Sequence, residues 1–107
     1  MRVVIESPYA ARDGRTVEDN VAYALACVSD CLSRGESPIA GHLVLPRVLD
    51  DTDPTQRAAG IAAAFEWYRV ADLVAVYVDH GTSAGMTQGI AEARRLWIRI
   101  QYRRIGD

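Results

Sequence analysis

Two short polar runs, each following a β-rich apolar run, hold most of the side chains able to do chemistry. The first is Glu6-Ser7-Pro8-Tyr9 at the end of Arg2–Glu6, and the second is Asp79 to Met86 (DHGTSAGM) after Leu73–Val78. In the second run Ser83 is placed to cap a helix that begins at Ala84-Gly85-Met86. The unpaired N–H groups of such a helix start, with the positive end of its dipole, hold a phosphate or a hydroxyl. Gly81 lies in the turn, and Gly85 has no side chain to keep a ligand off the backbone. Without a ligand, the same residues form a plain helix cap. Asp79 ends the strand; it either accepts hydrogen bonds from sugar hydroxyls or a base, or caps the turn. Tyr9 either stacks on a base or is a loop aromatic at the surface. Asn20 can point toward the loop after Tyr9, and His42 stands alone without a partner histidine nearby in sequence. Asp50, Asp51 and Asp53 read as a solvated turn and a helix cap. With no C-x-x-C pair and no H-x-x-x-H, the chain offers no metal motif.

These groups must be held by regular elements, and the hydrophobic periods lay those out. Arg2–Glu6 reads as the first strand, stopped by Pro8. Thr16 with Asp19 three residues on resembles a capping box for a helix ending at Gly35. Its apolar stripe is Val21, Ala24, Leu25, Val28 and Leu32. Ile39–Leu45 reads as a second strand, possible to break at Gly41 and closed by Pro46. Asp53-Pro54-Thr55-Gln56 is a strong helix start, and the helix runs to about Arg69 with Ala58, Ile61, Ala62, Phe65 and Tyr68 inward. Trp67 lies off that stripe, as an edge filler or an oligomer contact. Leu73–Val78, apolar on both faces, belongs in the middle of a parallel sheet. A last helix carries Met86, Ile90, Ala93 and Trp97 on one face, and Ile98–Tyr102 alternates like an outer strand.

Alternation of strand and helix implies an α/β fold: one domain over residues 1–107, three layers, a Rossmann-like (flavodoxin-like) parallel sheet in the order 2-1-3-4. The switch point then falls between strands one and three, where Ser7-Pro8-Tyr9 faces Asp79 to Gly85 across a crevice.

The bulk numbers fit. The chain has 107 residues, is half apolar and about a quarter charged, and has net charge −2. That balance argues against duplex nucleic acid as a partner but leaves single nucleotides open. All twelve basic residues are arginine, which excludes a phosphate-binding lysine and Schiff-base chemistry. Cys27 and Cys31, four apart on a predicted helix, read as reduced thiols and so suggest the cytoplasm. The start is charged too early for a signal peptide, and no run is long enough for a membrane span.

Taken together, Glu6-Ser7-Pro8-Tyr9, Asn20-Val21-Ala22-Tyr23, Gly41-His42-Leu43, Leu49-Asp50-Asp51-Thr52, Tyr77-Val78-Asp79 and Gly81 to Met86 give the chain a family likeness. It resembles the nucleoside 2-deoxyribosyltransferase-like superfamily, which includes nucleotide N-glycosidases, and within it a small bacterial and phage domain family. The resemblance implies a site between the first and third strand ends, no cofactor, and a homo-oligomer. It also implies a glutamate one turn into the helix that attacks the anomeric carbon. In Gly85-Met86-Thr87-Gln88-Gly89 that position falls on Thr87, so no carboxylate stands there. Asp79 and Glu6 are the carboxylates left as catalytic candidates. The ligand-binding set is Ser7, Pro8, Tyr9, Asn20, His42, Asp79, Gly81, Ser83, Gly85 and Met86. The reading is a nucleoside- or nucleotide-binding protein with altered or absent chemistry. The alternatives are an N-glycosidase or deoxyribosyltransferase, and a non-catalytic interaction module.

Overall fold

The computed structural model describes residues 1–106. Four parallel strands, β1 (Arg2–Glu6), β2 (Ser37–Ile39), β3 (Leu73–Tyr77) and β4 (Ile100–Arg103), form one sheet in the order β2-β1-β3-β4. Three helices, α1 (Val17–Ser33), α2 (Pro54–Tyr68) and α3 (Ala84–Arg95), make the connections, with two 3-10 turns, Gly41–Leu43 and Leu45–Arg47, between β2 and α2. This is the expected order and the expected switch point between β1 and β3. Every residue of β3 is buried, as a strand with helices on both faces requires.

The pleat sorts side chains to two cores. Val3, Ile5, Leu73, Ala75 and Tyr77 pack with Cys27 and Cys31 of α1 on one face. Val4, Val74 and Val76 pack with Met86, Ile90 and Ala93 of α3 and Tyr68 of α2 on the other. Alternation along β1 therefore turns Glu6 toward the same face as Val4, under α2 and α3. Both cysteines are free thiols. No described helix is long and apolar enough to cross a membrane.

The helix starts form as their sequences dictate. Thr16 and Asp19 close a reciprocal capping box on α1. Asp53 caps α2 by accepting from the Thr55 amide, with Pro54 at the first helical position. Ser83 caps α3 by accepting from the Met86 amide at 3.2 Å.

Five sequence expectations are corrected. The second strand is Ser37–Ile39 rather than Ile39–Leu45; beyond it the chain turns into 3-10 geometry, where Gly41 packs against Ala64 of α2. The buried face of α1 is Asn20, Ala24, Cys27 and Cys31, while Leu25 and Leu32 are more than half exposed. The small thiols let α1 lie close to β1 and β3, and this rotates the leucines outward. The inner side of α2 uses Gly60 and Ala64 with Ile61, Phe65 and Tyr68, leaving Ala58 and Ala62 outside. Trp97 does not continue the α3 stripe: the helix ends at Arg95, Trp97 takes a left-handed φ of 58°, and its side chain is 94% exposed. The last strand accordingly starts at Ile100, two residues later than expected for the alternating run.

Candidate functional site

At the carboxyl end of β1, between the 3-10 turns and the start of α3, lies a cleft of about 360 Å³, roofed by α2; no residue of β3 lines it. That volume is at the small end of the range that encloses small molecules. Three structural features make its walls.

The first is the end of β1. Glu6, Ser7 and Tyr9 all line the cleft. The Ser7 hydroxyl shares a 2.6 Å hydrogen bond with Nε2 of His42, which the first 3-10 turn brings to the opposite wall. Burial depresses the His42 pKa to about 4, so the ring is neutral at physiological pH. Burial likewise raises the Glu6 carboxyl to about 8, with no donor or counter-charge among the described residues to offset it.

The second is the start of α3. Ser83, Ala84, Gly85 and Met86 line the cleft. The Ser83 amide is spent on the Met86 sulfur at 3.4 Å, and the Met86 and Thr87 amides return to Ser83. Among the described residues nothing accepts from the Ala84 and Gly85 amides. Beside them stands Arg12, whose guanidinium donates to the carbonyls of Thr82 at 3.3 Å and His80 at 3.4 Å and pairs with Asp13 at 3.2 Å. Two free N–H groups, a helix dipole and a guanidinium thus sit together at one side of the cleft.

The third is the inner side of α2, where Gly60, Ala64 and Tyr68 face the cleft. The Tyr68 hydroxyl is buried and has no hydrogen-bond partner among the described residues. Arg57 and Asp51, an ion pair at 3.0 Å, stand at the outer rim.

Of the ligand-binding set read from sequence, the fold thus brings Ser7, Tyr9, His42, Ser83, Gly85 and Met86 to one cleft, with Glu6 from the catalytic pair. Pro8, Asn20, Asp79 and Gly81 lie outside its wall. Asn20 is buried on α1 and holds the chain after Ser7 in place, its amide donating to the carbonyls of Tyr9 and Ala10 at 3.0 Å each. Gly81 has φ 78° and makes the turn. Asp79 accepts from the Tyr23 hydroxyl at 2.5 Å and from the amides of Ile105 and Gly106 at 3.0 and 2.9 Å. Desolvation pushes its pKa upward, but those hydrogen bonds outweigh it and hold the carboxylate at about 2. Asp79 thereby fastens the chain after β4 to the top of β3. Thr87, at the position suggested for a helix carboxylate, is exposed and its hydroxyl donates back to the Ser83 carbonyl.

Sequence reasoning missed Tyr68 and Arg12 as cleft residues, and the meaning of Gly89. Tyr68 was legible only as core. Gly89 is buried on α3, and a Cβ built there would lie 2.1 Å from Glu6 Oε2 and 2.7 Å from the Tyr68 hydroxyl.

The pattern of a domain family of unknown function (DUF7768) matches residues 1–103. No curated protein matches the chain by sequence. Among solved structures, a 2-deoxyribosyltransferase from the psychrotolerant bacterium Bacillus psychrosaccharolyticus superposes with a TM-score of 0.69 at 12% identity. The match covers 97% of this chain and 72% of that one. That protein is described as a biocatalyst for the synthesis of antiviral and antitumoral nucleosides. At this identity the likeness is one of fold.

Proposed function

The chain belongs to the domain family of unknown function DUF7768, and we propose that it binds a nucleoside or nucleotide in the cleft between the end of β1 and the start of α3. The observation that carries this reading is the open start of α3. The unpaired Ala84 and Gly85 amides line a cleft of about 360 Å³, with the Arg12 guanidinium alongside. Such a combination suits a phosphate or a sugar oxygen. Tyr9, on the same wall, offers a ring for a base, and the hydrogen-bonded Ser7 and neutral His42 offer groups for hydroxyls. The fold shared with a 2-deoxyribosyltransferase supports this choice of ligand.

Calorimetric titration with adenosine, guanosine, cytidine, uridine, thymidine and their 5′-monophosphates tests the reading. Saturable binding, tighter for monophosphates than for nucleosides, is the expected result. Absence of binding across the set would sink it.

One observation favours a second, enzymatic reading, in which the protein cleaves the N-glycosidic bond. Of the two candidate carboxylates, Asp79 is consumed by Tyr23 and the residues after β4, but Glu6 stands in the cleft wall with no protein partner. Buried, unpartnered carboxyls are concentrated at catalytic sites. Free base detected by chromatography after incubation with the same compounds would support it. Self-association that covers the exposed part of Trp67, a cleft-lining residue of α2 that is 56% exposed, belongs to the same proposal.

A further inference from the structure

The net charge of −2 hides an uneven distribution. Residues 92–106 hold five of the twelve arginines and a single acid, Glu92. This segment comprises the end of α3, the turn after it and β4, an edge strand of the sheet. Two of the five arginines are committed. Arg103 is buried in an ion pair with Glu36 at 2.6 Å, and Arg95 is paired with Glu92 at 2.7 Å. Arg94, Arg99 and Arg104 are exposed and have no acidic partner among the described residues. Charges on an edge strand ordinarily guard it against pairing with another chain. Trp97 does not fit that explanation. It stands in the turn between α3 and β4, where the Ile98 amide donates to the Ala93 carbonyl at 2.9 Å and the Trp97 amide to the Arg94 carbonyl at 3.1 Å. That pair of bonds is the Schellman helix end, whose left-handed position normally belongs to glycine. Here it holds a tryptophan at φ 58° that is 94% exposed. Backbone strain and the exposure of a large aromatic side chain coincide at one residue, and neither serves the core. Tyr102, 53% exposed on β4, extends the aromatic surface along the same edge.

We propose that Trp97 and the arginines around it, Arg94, Arg99 and Arg104, form a docking surface for a single strand of nucleic acid. A base stacks on the open Trp97 ring, and the guanidinium groups meet phosphates, which arginine takes bidentately. Arg94 lies one helical turn before the tryptophan, and at most about 7 Å of chain separates the tryptophan from Arg99. Phosphate and base face are thus met at neighbouring points. A single strand offers both; a duplex keeps its base faces stacked inside. No sugar hydroxyl is needed, so DNA and RNA fit alike. An acidic peptide added as a fifth strand would use the β4 main chain and leave Trp97, three residues before that strand, without a role. An anionic membrane would need a wider apolar face than one tryptophan and a half-exposed tyrosine. The surface stands apart from the cleft: α3 separates them by about 18 Å, at 1.5 Å for each of its twelve residues. The inference therefore does not rest on the nucleotide reading of the cleft.

Fluorescence anisotropy of a short labelled oligothymidylate tests the proposal. Saturable binding at low salt is expected, comparable for oligouridylate and weaker for a duplex of the same length. Affinity should fall with salt at a logarithmic slope of about −2, from about 0.7 per phosphate met by three arginines. Trp97→Ala should weaken binding by about 5- to 150-fold. Replacing Arg94 and Arg99 together by alanine should flatten the slope to about −0.7. Trp97→Gly gives a second handle, because glycine suits the left-handed position. It should lose binding as Trp97→Ala does, yet unfold at a higher urea concentration than wild type. A lower unfolding midpoint would overturn the proposal, since the tryptophan would then be structural. No binding to either oligonucleotide would overturn it, as would binding that Trp97→Ala leaves intact. Tighter binding to polyglutamate or to phosphatidylserine vesicles would overturn it in favour of an acidic peptide or a membrane. Excess 5′-monophosphates should not displace the oligonucleotide; displacement would place the strand in the cleft and overturn this surface.

Discussion

At the scale of single residues, the two carboxylates nominated by sequence have opposite surroundings, and their titration separates them. Glu6 is partly buried, its carboxyl lies against Gly89 of α3 without a partner among the described residues, and desolvation raises its pKa from 4.5 to about 8. An acid whose folded pKa is raised loses stability as pH climbs, because above pH 4.5 the unfolded chain ionises and the folded chain does not. The loss grows from pH 4.5 to about 8 and then levels. At pH 7 it amounts to about 3 kcal/mol, at 1.36 kcal/mol per unit. Glu6→Gln should therefore be more stable than wild type by about 3 kcal/mol at pH 7 and nearly equal at pH 4.5, as read by urea unfolding. Asp79 has the reverse sign. Its pKa is depressed from 3.8 to about 2 by hydrogen bonds that outweigh desolvation, so its contribution is present above pH 4 and fades as pH falls through 2. Asp79→Asn should cost about 2 kcal/mol at pH 7, and amide exchange at Ile105 and Gly106 should accelerate. Unchanged exchange would show that the anchor is not needed. From sequence alone, both residues looked like carboxylates at a crevice mouth. What separates them is a tyrosine on α1 and two amides beyond β4, brought together by tertiary structure that no local pattern encodes.

At the scale of elements, the starts and types of the helices were legible because caps are local chemistry: Thr16, Asp53 and Ser83 all cap as their neighbours predict. Ser83→Ala should cost about 1 kcal/mol and also disturb the amides of Ala84 and Gly85, so ligand affinity should fall with stability. Faces were harder to read. On α1 the apolar period fits leucines and cysteines about equally, and packing distance chose the cysteines. On α3 the period points to Trp97, but the helix stops before it. Nor does any sequence rule distinguish a glycine that weakens a helix from one that admits a neighbour's carboxyl. Gly89 is of the second kind, and the energetics can be checked by a double-mutant cycle. Gly89→Ala in wild type should gain little or lose stability, since the improved helix propensity is offset by displacement of Glu6. In a Glu6→Ala background, the same change should stabilise by about 1 kcal/mol, less whatever it costs to move the Tyr68 hydroxyl. Equal effects in the two backgrounds would mean that the side chain at 89 and Glu6 do not compete for space.

At the scale of the whole molecule, the sheet order and its switch point follow from the alternation of elements and the all-apolar β3, so the architecture was the most legible feature of the chain. The least legible is how α2 is covered. This helix roofs the cleft, yet of its residues only Tyr68 is buried; several alanines face outward, and Trp67, which lines the cleft, is still 56% exposed. A second copy covering that side would bury the tryptophan and stiffen the roof. Sedimentation should then show a concentration-dependent dimer, and Trp67→Ser should shift it toward monomer; a monomer at every micromolar concentration would remove this part of the proposal. Glu6 and Gly89 carry a different kind of consequence, one written in descent. Because the carboxyl of one occupies the volume that a side chain on the other would need, the two codons are not free to drift separately. A lineage that puts a side chain at 89 must first empty position 6, and one that loses Glu6 no longer has reason to keep a glycine at 89. Across the family these two positions, distant in the chain, should vary as one character.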